Sequence, residues 1–298
     1  MRSARLVVLA CLALLVGCGS GSPRVAAPSI SPGAPRTSVT KLLVVMVENH
    51  SLDEMSHDMP YTFGLAKKYG YATAYTSLTH PSLPNYLGIA GGDMFGVTDD
   101  GPPSEHDVSG DSVFGQALAA GRTARVYADG IPAPCSLTDG GERYAVKHNP
   151  WAYFTDEHDA CEHDDVGLDH LASDVAAGAL PNAGLLVPNL CHDAHDDDCD
   201  LGDADEWMKQ NVGLVLSGRD FESGHLAVVV TADEDDHSQD NKVLTTVFHP
   251  SLHGKVVGTP LTPYSLTRLY DDVLGAPYLR AAASAPDLAK AFGLDVGA

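Results

Sequence analysis

The sequence is poor in positive charge. Its 298 residues carry 18 Lys and Arg against 40 Asp and Glu, a formal net charge of −22. So acidic a surface is repelled by nucleic acid and by anionic lipid headgroups, which argues against a nucleic-acid partner and against binding to membranes by charge. A long apolar run is also lacking. Leu6–Val16 is unbroken but too short to cross a bilayer as a helix, which takes about 20 residues. No CxxC or HExxH is present, so the usual zinc signatures are missing, and no GxSxG elbow marks an α/β-hydrolase serine. No internal repeat is visible.

What is present starts with a secretory pattern. Met1–Arg5 is short and basic, the apolar stretch follows, and Leu15–Cys18 (LVGC) is similar to a bacterial lipobox. Residues 1–17 are expected to be a lipoprotein signal peptide and Cys18 the lipidated residue. Residues 18–40, rich in Ser, Pro, Gly and Ala, read as a flexible tether. The protein is expected in the cell envelope, lipid-anchored on the outer face of the cytoplasmic membrane or secreted, meeting the membrane only through that lipid. Cysteine usage agrees. Cys11 leaves with the signal, and Cys135, Cys161, Cys191 and Cys199 suggest two disulfides in an oxidising compartment. Three pairings are possible, and the sequential one, Cys135–Cys161 with Cys191–Cys199, is preferred over the others and over a zinc site.

Residues 41–298 suit one large α/β domain. Lys41–Val47 (KLLVVMV) and His225–Thr231 (HLAVVVT) are continuous apolar runs, as in strands buried on both faces of a parallel sheet. Further strands are expected at Ala72–Ser77, Thr123–Ala128, Gly184–Val187 and Thr245–Phe248. Helices are expected at Tyr61–Lys68, Ser112–Ala120, Asp203–Leu216 and Tyr264–Leu274. The alternation predicts a mostly parallel central sheet with helices on both faces. Asp156–Asp205, dense in Asp and His, reads as a long surface excursion pinned by disulfides.

Ligands in open α/β sheets bind beyond the carboxyl ends of the strands. Three apolar strands run into polar clusters there: Glu48, Asn49 and His50 after the first, Asn189, His192, Asp193 and His195 after Gly184–Val187, and Asp233–Asp236 after His225–Thr231. Carboxylates gathered in this way need a counter-ion, which with so few Lys and Arg points to a divalent cation. Leu78–Gly92 (LTHPSLPNYLGIAGG) supplies the other component. Ser82 stands where a helix should begin, with Pro84 in the first turn and Gly91–Gly92 at the end, so its hydroxyl lies beside unpaired N–H groups that favour a phosphate. The plainer reading of Ser82 alone is a helix N-cap.

Six segments in order, Val44–Glu54, Thr79–Gly92, Lys147–Phe154, Val187–Asp196, Thr231–Asp236 and Pro263–Gly275, resemble the phosphoesterase family. That family holds bacterial acid phosphatases and phospholipases C, within the alkaline-phosphatase-like superfamily. The nearest likeness is to small secreted acid phosphatases of actinobacteria, including phosphoinositide-hydrolysing ones. The resemblance implies that Glu48, Asn49, Asp233 and Glu234 bind metal, that Ser82 is the nucleophile and also touches the metal, and that Asn85 holds phosphate. His148, Asp193 and His195 match polar positions lining the site, with His80 a further phosphate donor beside Lys147. Two departures stand out. Ala232 replaces an aromatic residue, which would open the pocket, and Pro263-Tyr264-Ser265 replaces His-Tyr-Ser. With that histidine absent, one divalent metal ion of unassigned identity is expected.

The implied activity is metal-dependent hydrolysis of a small phosphorylated substrate through a phosphoserine, with His195 or His148 protonating the leaving oxygen, by a monomeric enzyme. The donors expected around the phosphate (Asn85, His80, His148, His195 and Lys147), the short chain and the net charge of −22 favour monoesters, with activity highest below neutral pH. The alternatives are a phospholipase C-like phosphodiesterase and a non-catalytic metal-binding lipoprotein.

Overall fold

Apolar runs free of charge become strands here because both of their faces can be covered. The computed structural model describes residues 37–297. The expected signal segment, Cys18 and most of the tether lie outside them. The strands are β1 (Lys41–Val47), β2 (Gly70–Ala72), β3 (Ala124–Ala128), β4 (Asp165–Gly167), β5 (Ala183–Val187), β6 (Leu226–Ala232), β7 (Thr245–Phe248) and β8 (Lys255–Val257). They form one sheet in the order β4-β3-β5-β1-β6-β7-β2-β8. β1 pairs in parallel with β5 and β6, and β3 does so with β4 and β5. β7 runs antiparallel to β6 and β2, so the expected mostly parallel sheet is what forms. β5, β6 and β7 are buried throughout, as is β1 beyond Lys41, whose Nζ meets Asp220 at 2.8 Å.

Register places the chemistry. Val47 lies opposite Ala232, so the residues that follow, Glu48 and Asp233, emerge side by side. Asp233 N–H donates to Val47 O at 3.2 Å, and Glu48 N–H donates to Asp193 O at 2.9 Å. The carboxyl ends of β1, β5 and β6 therefore meet at one place. Ala232, which the sequence suggested would open the pocket, is buried at the end of β6, 1 % exposed.

The helix Ser82–Gly91 is buried along its whole length. It packs on the helix Pro263–Leu274, whose Thr267 hydroxyl donates to Gly88 O at 2.8 Å. Gly92 ends it at φ 68°, and a Cβ there would come 2.6 Å from Leu279 O, so backbone and packing both require glycine.

The helices over Pro60–Lys68, Val113–Ala119, Leu201–Leu216 and Pro263–Leu274 match expectation to within two residues. Two expectations change. Ala72–Ser77 is a strand only to Ala72; beyond it the chain is held by single bridges, Tyr75 to Leu261 and Thr76 to Lys242. Asp156–Asp205 is not a surface excursion, because it contains β4, β5 and the helices His158–Asp164 and His170–Ala177. Its acidic residues are partly structural: Asp165 is fully buried and accepts from Cys135 N and Asn149 Nδ2 at 3.1 and 2.7 Å. The disulfides are Cys135–Cys161 and Cys191–Cys199, the sequential pairing. Among the described residues no helix is long and apolar enough to cross a membrane.

Candidate active site

Ser82 is the first residue of its helix, and the preceding Pro81 offers no side-chain cap. The first-turn N–H groups must therefore find acceptors outside the helix. Ser82 is 1 % exposed, and its Oγ donates to Glu48 Oε1 at 2.5 Å. Lys147 Nζ lies 3.5 Å from Ser82 Oγ and 3.4 Å from Glu48 Oε1. A hydroxyl, a carboxylate and an ammonium are thus brought together from three separate parts of the chain.

Asn49 joins the two central strand ends. It sits in the left-handed region at φ 55°, which Asn tolerates better than most side chains. From there its N–H donates to Asp233 Oδ1 at 3.1 Å, and its Nδ2 to Glu48 Oε1 at 3.4 Å. Asp233 Oδ2 is buried with no hydrogen-bond partner. Burial, then the charges of Glu48 and Glu234, push the Asp233 carboxyl well above its ordinary range. Burial and Glu48 likewise raise Glu234 to about 8. Glu48 goes the other way: burial alone would raise it, but His148 and Lys147 with the Ser82 hydrogen bond hold it at about 2. An orphaned oxygen among three crowded carboxylates, beside a serine and an amide, is a hard-donor set that fits a divalent cation.

His148 is buried and stacked on Tyr86, ring centroids 5.0 Å apart at 11°. Its Nε2 is 2.6 Å from Glu48 Oε2 and its Nδ1 3.0 Å from Asp193 Oδ2, close contacts poorly aligned for hydrogen bonding. Burial would lower its pKa, but Glu48 and Asp193 raise it to about 10, an imidazolium held between two carboxylates. Glu48, His148 and Asp193 bring one ligating atom each within 4.8 Å of one another. His195 is different. Its side chain is 31 % exposed, its Nε2 lies 3.4 Å from Lys147 Nζ, and its backbone N–H donates to Asp193 Oδ1. Of the two histidines, His195 is the one open to a ligand.

The remaining expected residues take other roles. Asn85 Oδ1 accepts from Leu78 N and Thr79 N, while its Nδ2 donates to Thr79 O, Pro81 O and Glu234 Oε2. Its amide folds the loop onto the helix. His80 lies 3.2 Å from both Glu234 Oε2 and Asp235 Oδ1, and its ring is tilted 32° against that of His237, centroids 3.9 Å apart. These three, His80, Asp235 and His237, also cluster, but Asp235 already accepts from the backbone N–H of His237, Gln239 and Asn241. His192 pairs with Asp129 and His50 with Glu54, so both are drawn off from the centre. Asp100 was not anticipated. Its Oδ1 accepts from Leu83 N at 2.9 Å and its Oδ2 from Lys147 Nζ at 3.0 Å, so a carboxylate fills the anion seat at the helix start.

Residues 55–268 match the model of the Phosphoesterase family. The chain is 26 % identical over 257 residues to "Phosphatidylinositol-3-phosphatase" of Mycobacterium tuberculosis, covering 85 % of this chain and 82 % of that protein. It is 25 % identical to "Acid phosphatase" of Aspergillus fumigatus over 78 % of this chain; there it spans about half the relative's length, 55 %. Its fold is similar to an alkaline phosphatase superfamily protein from Vibrio parahaemolyticus, with a TM-score of 0.53 at 9 % identity, covering 81 % of this chain and 67 % of that one.

Proposed function

This chain belongs to the Phosphoesterase family and is a hydrolase of phosphoric ester bonds, and from that premise we propose that it is a metal-dependent phosphomonoesterase that works outside the cytoplasm through a phosphoserine at Ser82. The observation that carries the reading is Ser82 Oγ, at a helix N-terminus, 2.5 Å from buried Glu48 and 3.5 Å from Lys147.

The divalent cation that Glu48, Asn49, Ser82, Asp233 and Glu234 would hold supplies a lower pKa for the serine hydroxyl and charge to offset the phosphoryl oxygens. The chain's own residues do the rest. Ser82 Oγ, its proton released to solvent, attacks phosphorus in line, forming the O–P bond as the bond to the departing alcohol breaks, and leaves again as the alkoxide when water cleaves the phosphoserine. Lys147 Nζ and Leu83 N–H face the phosphoryl oxygens once Asp100 yields them. His195 gives its proton to the leaving oxygen, then takes one from the water that cleaves the phosphoserine and releases phosphate. His148 holds Glu48 and Asp193 in place and keeps Glu48 ionised beside the serine. The two disulfides and the Leu15–Cys18 pattern support an oxidising, extracytoplasmic setting.

A paired assay tests the reading. Turnover of p-nitrophenyl phosphate is expected to exceed that of bis-p-nitrophenyl phosphate in kcat/KM, to fall at least about a hundredfold on chelation, and to return when a divalent ion is restored. A preference for the diester, or full activity in chelator, would refute the monoester or the metal component respectively.

A further inference from the structure

In-line attack puts the departing alcohol on the far side of phosphorus from Ser82 Oγ, so the cavity beyond the nucleophile decides which alcohols fit. One cavity is lined by Lys147, whose Nζ is 3.5 Å from Ser82 Oγ, and a second shares a wall with it. The nearer, about 380 Å³, is walled by Asp100, Asp139, Lys147 and His195. The farther, about 400 Å³, is walled by Pro103, Leu137 and Ala152. Thr138 lines both, and Pro102 of the first is bonded to Pro103 of the second, so they read as one groove. Either volume is in the range of a small-molecule site.

We propose that this groove is the leaving-group subsite and that it selects phosphomonoesters of uncharged alcohols with an extended apolar body, against alcohols that carry further phosphates. The proposal rests on the phosphomonoesterase reading. His195, the open histidine, lies in the near wall, where a leaving oxygen needs its proton. Pro103, Leu137 and Ala152 give the far wall an apolar stretch between polar residues, and Leu137 is 41 % exposed, one of three large hydrophobic side chains left open among the described residues. Its segment is fixed: Cys135 is bonded to Cys161, Ser136 Oγ donates to Thr138 O at 3.0 Å, and Tyr144 OH donates to Ser136 O.

Charge excludes polyanions. Lys147, the cation of the near wall, is already shared between Glu48 and Asp100 at 3.4 and 3.0 Å. Asp107 stands exposed on the far rim, and His158 there lies 3.4 Å from Glu162. A second phosphate in the groove would therefore meet carboxylates without a free partner, within a chain of net charge −22.

The test uses the metal-loaded enzyme and ethyl, butyl, hexyl and octyl phosphate below their aggregation concentrations, whose leaving groups are of equal basicity. Since burying one methylene is worth at most about fourfold, kcat/KM is expected to rise about twofold per methylene, about sixtyfold over the six methylenes from ethyl to octyl. Hexane-1,6-diol bisphosphate is expected to be at least about tenfold poorer than hexyl phosphate. Leu137→Asp should cut the octyl-to-ethyl ratio about fivefold or more, and Thr138→Arg should bring the bisphosphate up relative to hexyl phosphate. A flat series, or a bisphosphate equal to or better than hexyl phosphate, overturns the subsite. Turnover of no ester overturns the phosphatase reading itself and the subsite with it.

Discussion

Asp100 shows how much of this site depends on one side chain that no motif announces. It lies in a Thr-Asp-Asp-Gly stretch that reads as a turn, yet it takes the Leu83 N–H and the Lys147 ammonium together. In the proposed mechanism both donors face the phosphoryl oxygens, so substrate and product would compete with a built-in carboxylate. Asp100→Ala is expected to tighten competitive inhibition by inorganic phosphate about tenfold, a shift in keeping with one charged hydrogen bond. Unchanged or weaker inhibition would mean that Asp100 only supports the helix start. Glu48, Asn49, Asp233 and Glu234 were legible because they follow apolar strands directly, and Ser82 because a helix pattern begins on it. Asp100 and Tyr86 were not, since their roles depend on where a loop and a helix face land after folding. Asn85 and His80 were legible as polar site neighbours, but only packing shows that their donors are engaged by Pro81, Glu234 and Asp235.

At the scale of elements, the long apolar strands and the capped helices could be read directly, and short or edge elements could not. β4 and β8 have three residues each, too few for a periodic pattern to stand out. The helix Leu52–Asp58 was available in the sequence: Ser51 and Glu54 form a capping box, but the seven residues bury only Met55 and so lack an apolar stripe. The acidic run before β4 hides a buried group. Asp165 has one oxygen without a partner, and burial lifts its pKa to about 7 despite bonds from Asn149 and Cys135. The ordinary value is 3.8, so the folded state binds the proton more tightly and folding is favoured on the acid side. That advantage declines as pH rises from about 4 and is lost by about 7, a span worth roughly 4 kcal/mol at most. The near-isosteric Asp165→Asn cannot ionise. Its melting temperature relative to wild type should climb by a few degrees between pH 5 and pH 8. A difference that stays constant with pH would place the carboxyl outside the pH dependence of stability.

Across the whole molecule, one sheet gathers distant segments so that chemistry collects at its carboxyl edge. Periodicity could say that β1 and β6 are buried on both faces, but not that β6 is followed in the sheet by an antiparallel β7 and then by β2, because pairing order is set by tertiary packing. The excess of acid has a similar double meaning. It disfavours polyanionic partners over the molecule as a whole, and at the centre it concentrates three buried carboxylates whose mutual repulsion protons or added positive charge must relieve. Against that background Ser82, a hydroxyl at a helix N-terminus bonded to Glu48, is the proposed attacking group. The most direct measurement is therefore the kcat of metal-loaded Ser82→Ala on p-nitrophenyl phosphate, with thermal unfolding followed alongside. The account predicts a loss of about four orders of magnitude with an unchanged melting temperature. A variant that keeps about a tenth of wild-type turnover would contradict the covalent mechanism.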